Sequence, residues 1–392
     1  MAQQLRAIRG GKADERQENT LIDYSLIFTV LFLLGFGLVM IYSVSSYEAA
    51  LQFDDSSYYF KRQLINTIVG LVAMTIVALI PYRLWQRFLV LAYIVSLVLI
   101  LLVQTSLGIT ANGATRWLNL GVSLQPAEVA KLGMIVFLAG LINKIGGQIR
   151  TPRGFLVALL TPAPIAVCIW KITDNLSSAI IVMAISFIMV FVADPDYKKF
   201  LAIAAAVAVF ATLYVMYVMH AAENGTLSGF RNQRILAWLN PEAYASGKGF
   251  QTLQALYAIG SGGIFGKGLG ESIQKLGYVP EAQNDMIFSI ICEELGLFGG
   301  FAVILLFILL IWRCMIIAQN APDLFGALLV VGVIAHISVQ VILNIAVCTN
   351  MIPNTGISLP FISYGGSSVV FLLIEIGLVL SVGRSIYFRD LS

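Results

Sequence analysis

The sequence predicts an all-α polytopic membrane protein: ten transmembrane helices, with a large extracellular loop between helices seven and eight. Three observations carry this prediction. Hydrophobic residues make up 59% of the 392-residue chain and charged residues only 11%, with a mean hydropathy of +0.88. A soluble domain has no interior large enough to hide that much apolar surface. The apolar residues gather in runs of roughly 20, the length that crosses the hydrocarbon core of a bilayer. One polar, glycine-rich stretch, 220–285, is far too long to be a tight turn between two such runs.

The runs fall at 22–45, 63–82, 86–105, 124–143, 154–172, 175–193, 198–219, 286–316, 323–348 and 366–385. The first follows a polar segment containing Arg6, Arg9, Lys12 and Arg16 and exceeds the apolar core of a signal peptide, so it is expected to remain as a helix. The chain therefore divides into a cytoplasmic tail (1–21), a ten-helix membrane domain (22–385) and a second cytoplasmic tail (386–392). Only Lys171–Asn175 separates runs five and six. Orientation follows from Lys and Arg in the short connections. Arg83, Arg87, Lys144, Arg150, Arg153, Lys198, Lys199, Arg313, Arg384 and Arg389 fall on the side of the N-terminal tail, which places both termini in the cytoplasm and the loop outside.

A net charge of +3 gives no support for a nucleic-acid partner. The four cysteines, Cys168, Cys292, Cys314 and Cys348, form neither a disulfide framework nor a zinc pattern. His220 and His336 are expected to be interfacial or packed.

Ionisable groups at a membrane boundary are costly to keep there and so are candidates for function. The loop carries Arg231, Arg234, Lys248, Lys267 and Lys275 and ends in Pro280-Glu281-Ala282-Gln283-Asn284-Asp285. It passes directly into an apolar helix bearing Glu293 and Glu294. The 250–259 stretch, which includes Gln251, is apolar on one face and could lie in the outer interface. The glycines that follow permit unusual backbone angles and close approach of a ligand, but they lack the phosphate-loop pattern. A flexible connector with interfacial anchors is the plainer account of this loop. Its length, charge and glycine density favour substrate contact. Asp285 suits the N-cap of the eighth span, where the helix terminus would keep its carboxylate ionised. The same place, at the membrane mouth beside a cationic loop, suits a base acting on a lipid-borne substrate.

The fourth span opens Gln125-Pro126-Ala127-Glu128-Val129-Ala130-Lys131. Glu128 and Lys131 share a helix face and can pair, either as a lock for the bundle or as groups facing substrate. Arg116 and Trp117 precede it and form a candidate sugar or phosphate platform, although Trp117 also suits a belt aromatic. Pro353 to Ser368 holds two prolines and three glycines at membrane depth, which predicts non-helical backbone lining a cavity. Glu375, mid-span, is expected to face the bundle.

These segments resemble the SEDS proteins (shape, elongation, division and sporulation), the family that includes RodA, FtsW and SpoVE. The resemblance spans nearly the whole apolar chain. Its motifs are Gly113-Ala-Thr-Arg116-Trp117 with Gln125-Pro126-Ala-Glu128-Val-Ala-Lys131; Arg231-x-x-Arg234-Ile; Gly249-Phe-Gln251 through Gly262-Gly263-Ile-Phe-Gly266-x-Gly268; Pro280-Glu281-x-x-x-Asp285 with Glu293-Glu294-Leu-Gly296; and Leu359-Pro360-Phe-Ile-Ser363-Tyr364-Gly365-Gly366-Ser367-Ser368. It departs from the family pattern at Cys292, at Asn284 and Met286, and at Asp174-Asn175-Leu176-Ser177.

The resemblance implies a peptidoglycan glycosyltransferase of the bacterial cytoplasmic membrane that polymerises lipid II alongside a class B penicillin-binding protein, a transpeptidase. The family's essential acid falls on Asp285. Substrate-binding roles are expected at Arg116, Trp117, Glu128, Lys131, Arg231, Arg234, Gln251, Lys267, Ser363, Tyr364 and Ser367. In an inverting displacement from polyprenyl pyrophosphate, Asp285 would act as general base. Arg231, Arg234, Lys267 or a divalent cation (Mg or Mn) would neutralise the leaving group. A lipid II flippase needs charges along a path from leaflet to leaflet, and a non-catalytic scaffold for the transpeptidase has no use for a membrane-mouth acid. The outer clustering of candidates favours the enzyme over both.

Overall fold

The computed structural model describes residues 23–386, apart from 112, 195, 225–228 and 248. The expected N-terminal tail 1–21, all but Ile386 of the expected C-terminal tail 386–392, Lys248 and the side chain of Arg231 lie outside the described residues. Ten helices or helix pairs among the described residues are long and apolar enough to cross a membrane. They are α1 (Tyr24–Phe53), α2 (Tyr58–Leu79), a 3-10 turn running into α3 (Leu89–Leu102), α4 (Pro126–Ile145), the pair α5 (Pro152–Leu160) and α6 (Ala163–Ile172), α7 (Leu176–Ala193), α8 (Tyr197–Glu223), α11 (Ile287–Gln319), α12 (Leu324–Cys348) and α13 (Gly366–Gly383). Two further helices, α9 (Phe230–Leu239) and α10 (Phe250–Gly262), belong to the large loop.

The expected spans are all present, and their ends shift for local reasons. The first helix runs to Phe53 rather than 45, because a helix leaving the bilayer keeps its internal hydrogen bonds without needing apolar residues. It ends where Asp54 turns left-handed (φ 55°) and donates its N–H to Ala50. The fifth span breaks into α5 and α6 at Thr161-Pro162, where proline removes a helix donor.

The connection 106–123 is more than a loop. Residues Gly108–Ala111 (β1), Ala114–Asn119 (β2) and Ser123–Leu124 (β3) form an antiparallel sheet in the order β1-β2-β3. Its β-branched and aromatic residues suit paired strands, and Thr110 and Thr115 hydrogen-bond across it at 2.8 Å.

Helices α4, α12 and α13 are the most enclosed, and α13 lies along α2. That contact is close because Gly377 presents no side chain: a Cβ there would sit 2.6 Å from the Met74 carbonyl. By contrast α8 is peripheral, burying only Phe200, Val218 and Ala221. Polar pairs mark the face away from the loop. Arg313 grips Asp23 at 2.7 Å, and Tyr82 and Arg83 both donate to Asp323. Deep in the bundle His336 Nδ1 meets Glu375 Oε2 at 2.8 Å, a packed pair as expected for both residues.

Candidate active site

The glycine-rich part of the loop contacts a helix kink. Helix α11 breaks at Gly296 (φ 67°, ψ −169°), and the turn at 263–268 fills the break. The amides of Lys267 and Gly268 donate to the carbonyls of Glu293 and Glu294 at 3.0 and 2.9 Å, and those of Leu297 and Phe298 donate to Gly263 and Ile264. A side chain at Gly266 would stand 2.2 Å from the Glu294 carbonyl. These glycines therefore serve the approach of two backbones, and not of a ligand as the sequence suggested.

The two adjacent carboxylates fasten the same segment. Glu293 accepts from Lys267 Nζ (2.6 Å), Ser272 Oγ (2.5 Å) and the amides of Ile273 and Gln274. Glu294 accepts from Lys275 Nζ (2.8 Å) and Ser43 Oγ (2.8 Å). Lys267, expected at the substrate, is thus taken up by a fully buried acid and is not on the cavity wall. Helix α10 buries Thr252, Ala255, Ala258 and Gly262, with Gly262 tight against Cys292 of α11, so one of its faces packs on protein.

This scaffold presents Asp285 to a cavity of about 1160 Å³ on the loop side of the bundle. The N-cap of α11 is Met286, with no side-chain cap bond, so Asp285 does not cap the helix as expected. Its backbone carbonyl accepts from Asn344 Nδ2 of α12 at 2.8 Å, and its Oδ1 accepts from Gln251 Nε2 at 3.2 Å. The residue is 9% exposed. Burial pushes its carboxyl up to about 7, Glu281 adds to the rise, and its own backbone amide, Arg234 and Gln251 pull the other way. The helix terminus does not hold it ionised; burial dominates.

Several predicted residues share the cavity wall: Arg116 and Trp117 from β2, Glu128 and Lys131 from α4, Arg234 from α9, Gln251 from α10, and Tyr364 and Ser367 at the start of α13. Arg116 reaches the Asp174 carbonyl (3.1 Å) and Arg234 the Asn354 carbonyl (3.1 Å). Lys131 pairs with Glu128 Oε1 at 2.8 Å and touches Gln340 Oε1 at 3.4 Å. The other oxygen of Glu128 is buried with no hydrogen-bond partner among the described residues. Ser367 Oγ accepts from the Gln125 amide, which ties the two wall segments together. Ser363 departs from expectation: its hydroxyl accepts from the Leu359 amide inside the non-helical 353–365 segment and is not on the wall.

Sequence reasoning did not assign Asn354, Glu281 or Asp174 to the site, although all three lie in segments it quoted, nor Gln340 and Asn344, which lie within the ninth span outside any quoted motif. Their polar types at membrane depth were the available signal. A buried acid with a carboxyl near neutrality, sharing a large polar cavity with three cations, can accept a proton while an anion forms nearby.

Ten membrane-length helices with a polar, acid-bearing cavity at one end define a multi-pass membrane protein with an enzyme-type site. The chain belongs to the FtsW/RodA/SpoVE family of cell cycle proteins, whose profile matches residues 24–387. Stage V sporulation protein E of Bacillus subtilis (strain 168) is 39% identical over 364 residues, spanning 92% of this chain and 97% of that protein. A probable peptidoglycan glycosyltransferase FtsW of Trichlorobacter lovleyi is 38% identical over 373 residues, spanning 94% and 95%. Among solved structures, one described as showing structural coordination of polymerization and crosslinking by a peptidoglycan synthase complex superposes with a TM-score of 0.75 at 29% identity, covering 94% of this chain and 99% of the other. The rod shape determining protein RodA of Thermus thermophilus gives 0.64 at 26% identity, covering 94% and 98%.

Proposed function

We propose that this protein is a peptidoglycan glycosyltransferase that polymerises lipid II at the outer face of the bacterial cytoplasmic membrane. One observation carries the reading: the carboxyl of Asp285, raised to about 7 by burial, lines the same cavity as Arg116, Lys131 and Arg234. Relatives bearing the name peptidoglycan glycosyltransferase support it.

The acceptor's 4-hydroxyl attacks the anomeric carbon of the donor. A C–O bond forms there as the bond to pyrophosphate breaks, and the hydroxyl proton passes to Asp285. A base poised near the working pH is the most effective one. The leaving pyrophosphate departs as an anion and needs no proton, so one carboxylate suffices where glycoside hydrolysis commonly uses two. Arg234 and Arg116 offer it fixed positive charge. A single displacement converts an α-linked donor into a β-linked product.

Magnesium commonly binds through one or two carboxylates plus substrate phosphates, and Glu281 or Asp174, each on the cavity wall, is the carboxylate that would hold it. Bound there, such an ion would supply charge neutralisation at the pyrophosphate. A class B penicillin-binding protein is the expected partner; the likeness to a synthase complex that joins polymerization to crosslinking supports it. The Lys and Arg distribution supports cytoplasmic termini.

The test is reconstitution of purified protein with lipid II, with and without the transpeptidase. Glycan polymer is expected from the wild type and none from Asp285→Asn. Translocation of lipid II without polymer would favour a flippase and overturn the proposal.

A further inference from the structure

Around Asp285 a chain of amides runs in one direction. The Gly356 amide donates to Asn354 Oδ1 at 3.0 Å. Asn354 Nδ2 then donates to Gln251 Oε1 at 2.7 Å. Gln251 Nε2 in turn donates to two acceptors, the Pro280 carbonyl (3.0 Å) and Asp285 Oδ1 (3.2 Å). Each side-chain amide has one acceptor and one donor end. The backbone N–H of Gly356 can only donate, so it sets Asn354, and Asn354 sets Gln251. Neither amide can flip without placing two donors, or two acceptors, against each other. The chain also joins three segments distant in sequence: the 353–365 connection, α10 and the approach to α11.

Resting on the transferase reading above, we infer that Asn354 and Gln251 are positioning residues: they hold Asp285 Oδ1 and leave Oδ2 to receive the proton of the acceptor hydroxyl. Gly356 bears on the same oxygen. It adopts φ +66°, and a Cβ there would lie 3.8 Å from Oδ2, so the glycine keeps the approach to that atom open. Gln251 is then no direct substrate ligand, in contrast to the role its motif position suggested.

A donor held against Oδ1 favours the ionised carboxylate. Its loss raises the pH at which Asp285 becomes a usable base. The groups facing Asp285 can be named from each neighbouring element: Glu281 in the approach to α11, Arg234 on α9, neutral Gln251 on α10, neutral Asn354 and Gly356 in the connection, and neutral Asn344 with the thiol of Cys348 on α12. None of the charged ones is altered by changes at 251 or 354.

The experiment measures initial rates of lipid II polymerisation across pH for wild type, Gln251→Ala, Asn354→Ala and Gln251→Asn, with Asp285→Asn as reference. Carboxyl protonation is followed separately by infrared titration, using Asp285→Asn to identify the Asp285 band. Both alanine variants are expected to lose about fivefold in kcat at neutral pH with little change in KM. Their acid limb and the Asp285 band should move to higher pH by about one unit, because the lost donor had favoured the ionised carboxylate. Raising the pH should restore most of the lost rate. Gln251→Asn, with a shorter amide, is expected to recover little. An unmoved band and limb with raised KM would overturn the inference and make Gln251 a substrate contact. Loss of rate at every pH with an unmoved band would reduce both residues to structural supports and also overturn it. Failure of the transferase reading is separately visible, because the wild type would then form no polymer at any pH.

Discussion

Lys131 Nζ lies 2.8 Å from Glu128 Oε1, three residues along α4 and almost wholly inside the protein, yet both side chains form part of the cavity wall. The pair can brace the bundle and meet substrate at once. Removing one member strands a buried charge, which costs about 3–5 kcal/mol. Lys131→Met is therefore expected to lower the Tm of the detergent-solubilised protein and to stop polymerisation. The double variant Glu128→Gln/Lys131→Met removes both charges and should recover much of the Tm while polymerisation stays low. Recovered stability together with full turnover would show that the pair is a brace alone.

The raised carboxyl of Asp285 makes a signed prediction for rate. Protonation disables a base, so kcat/KM should fall as pH drops through about 7 and level off above it. A flat profile between pH 5 and 8 would remove Asp285 from the proton transfer.

The same shift bears on stability. Asp285 holds its proton in the folded protein to about 7, against an ordinary value of 3.8. Between those values the folded state binds more protons than the unfolded one, so stability declines as pH rises through that window. Each unit is worth roughly 1.4 kcal/mol. Asp285→Asn should thus be inactive yet more thermostable than wild type at pH 8, and the difference should shrink toward pH 4. Equal melting curves at both pH values would contradict this.

Lys267 and Glu293 give a fourth prediction, on loop order. With Lys267 Nζ 2.6 Å from a carboxylate that has no exposed surface, Lys267→Met should loosen the 263–275 segment. Faster limited proteolysis within it is expected, with a lower polymerisation rate. Unchanged proteolysis combined with a higher KM for lipid II would return Lys267 to the substrate site.

Gly296 supplies a fifth. Alanine there must adopt a left-handed backbone with its Cβ 2.3 Å from the Ile264 carbonyl, a strain of at least about 1–3 kcal/mol. Poor yield or a clearly lower Tm is expected for Gly296→Ala, whereas Gly260→Ala, which meets no atom within 4 Å, should behave as wild type.

Ten spans, the large polar loop and the candidacy of Asp285 were legible in the chain alone. Span length is a local property set by bilayer thickness, and an acid at a membrane boundary stands out against apolar neighbours. The pairing of Glu128 with Lys131 was legible for the same reason, since three residues along a helix bring two side chains onto one face. Tertiary structure decided the rest. Lys267 looks like any loop cation until α11 kinks at Gly296 and turns Glu293 toward it. Gln251 and Asn354, 103 residues apart, meet only because α10 and the connection before α13 both pack beside the start of α11. The carboxyl of Asp285 moves to about 7 because that packing excludes water, and no spacing of residues along the chain specifies how much water a fold excludes.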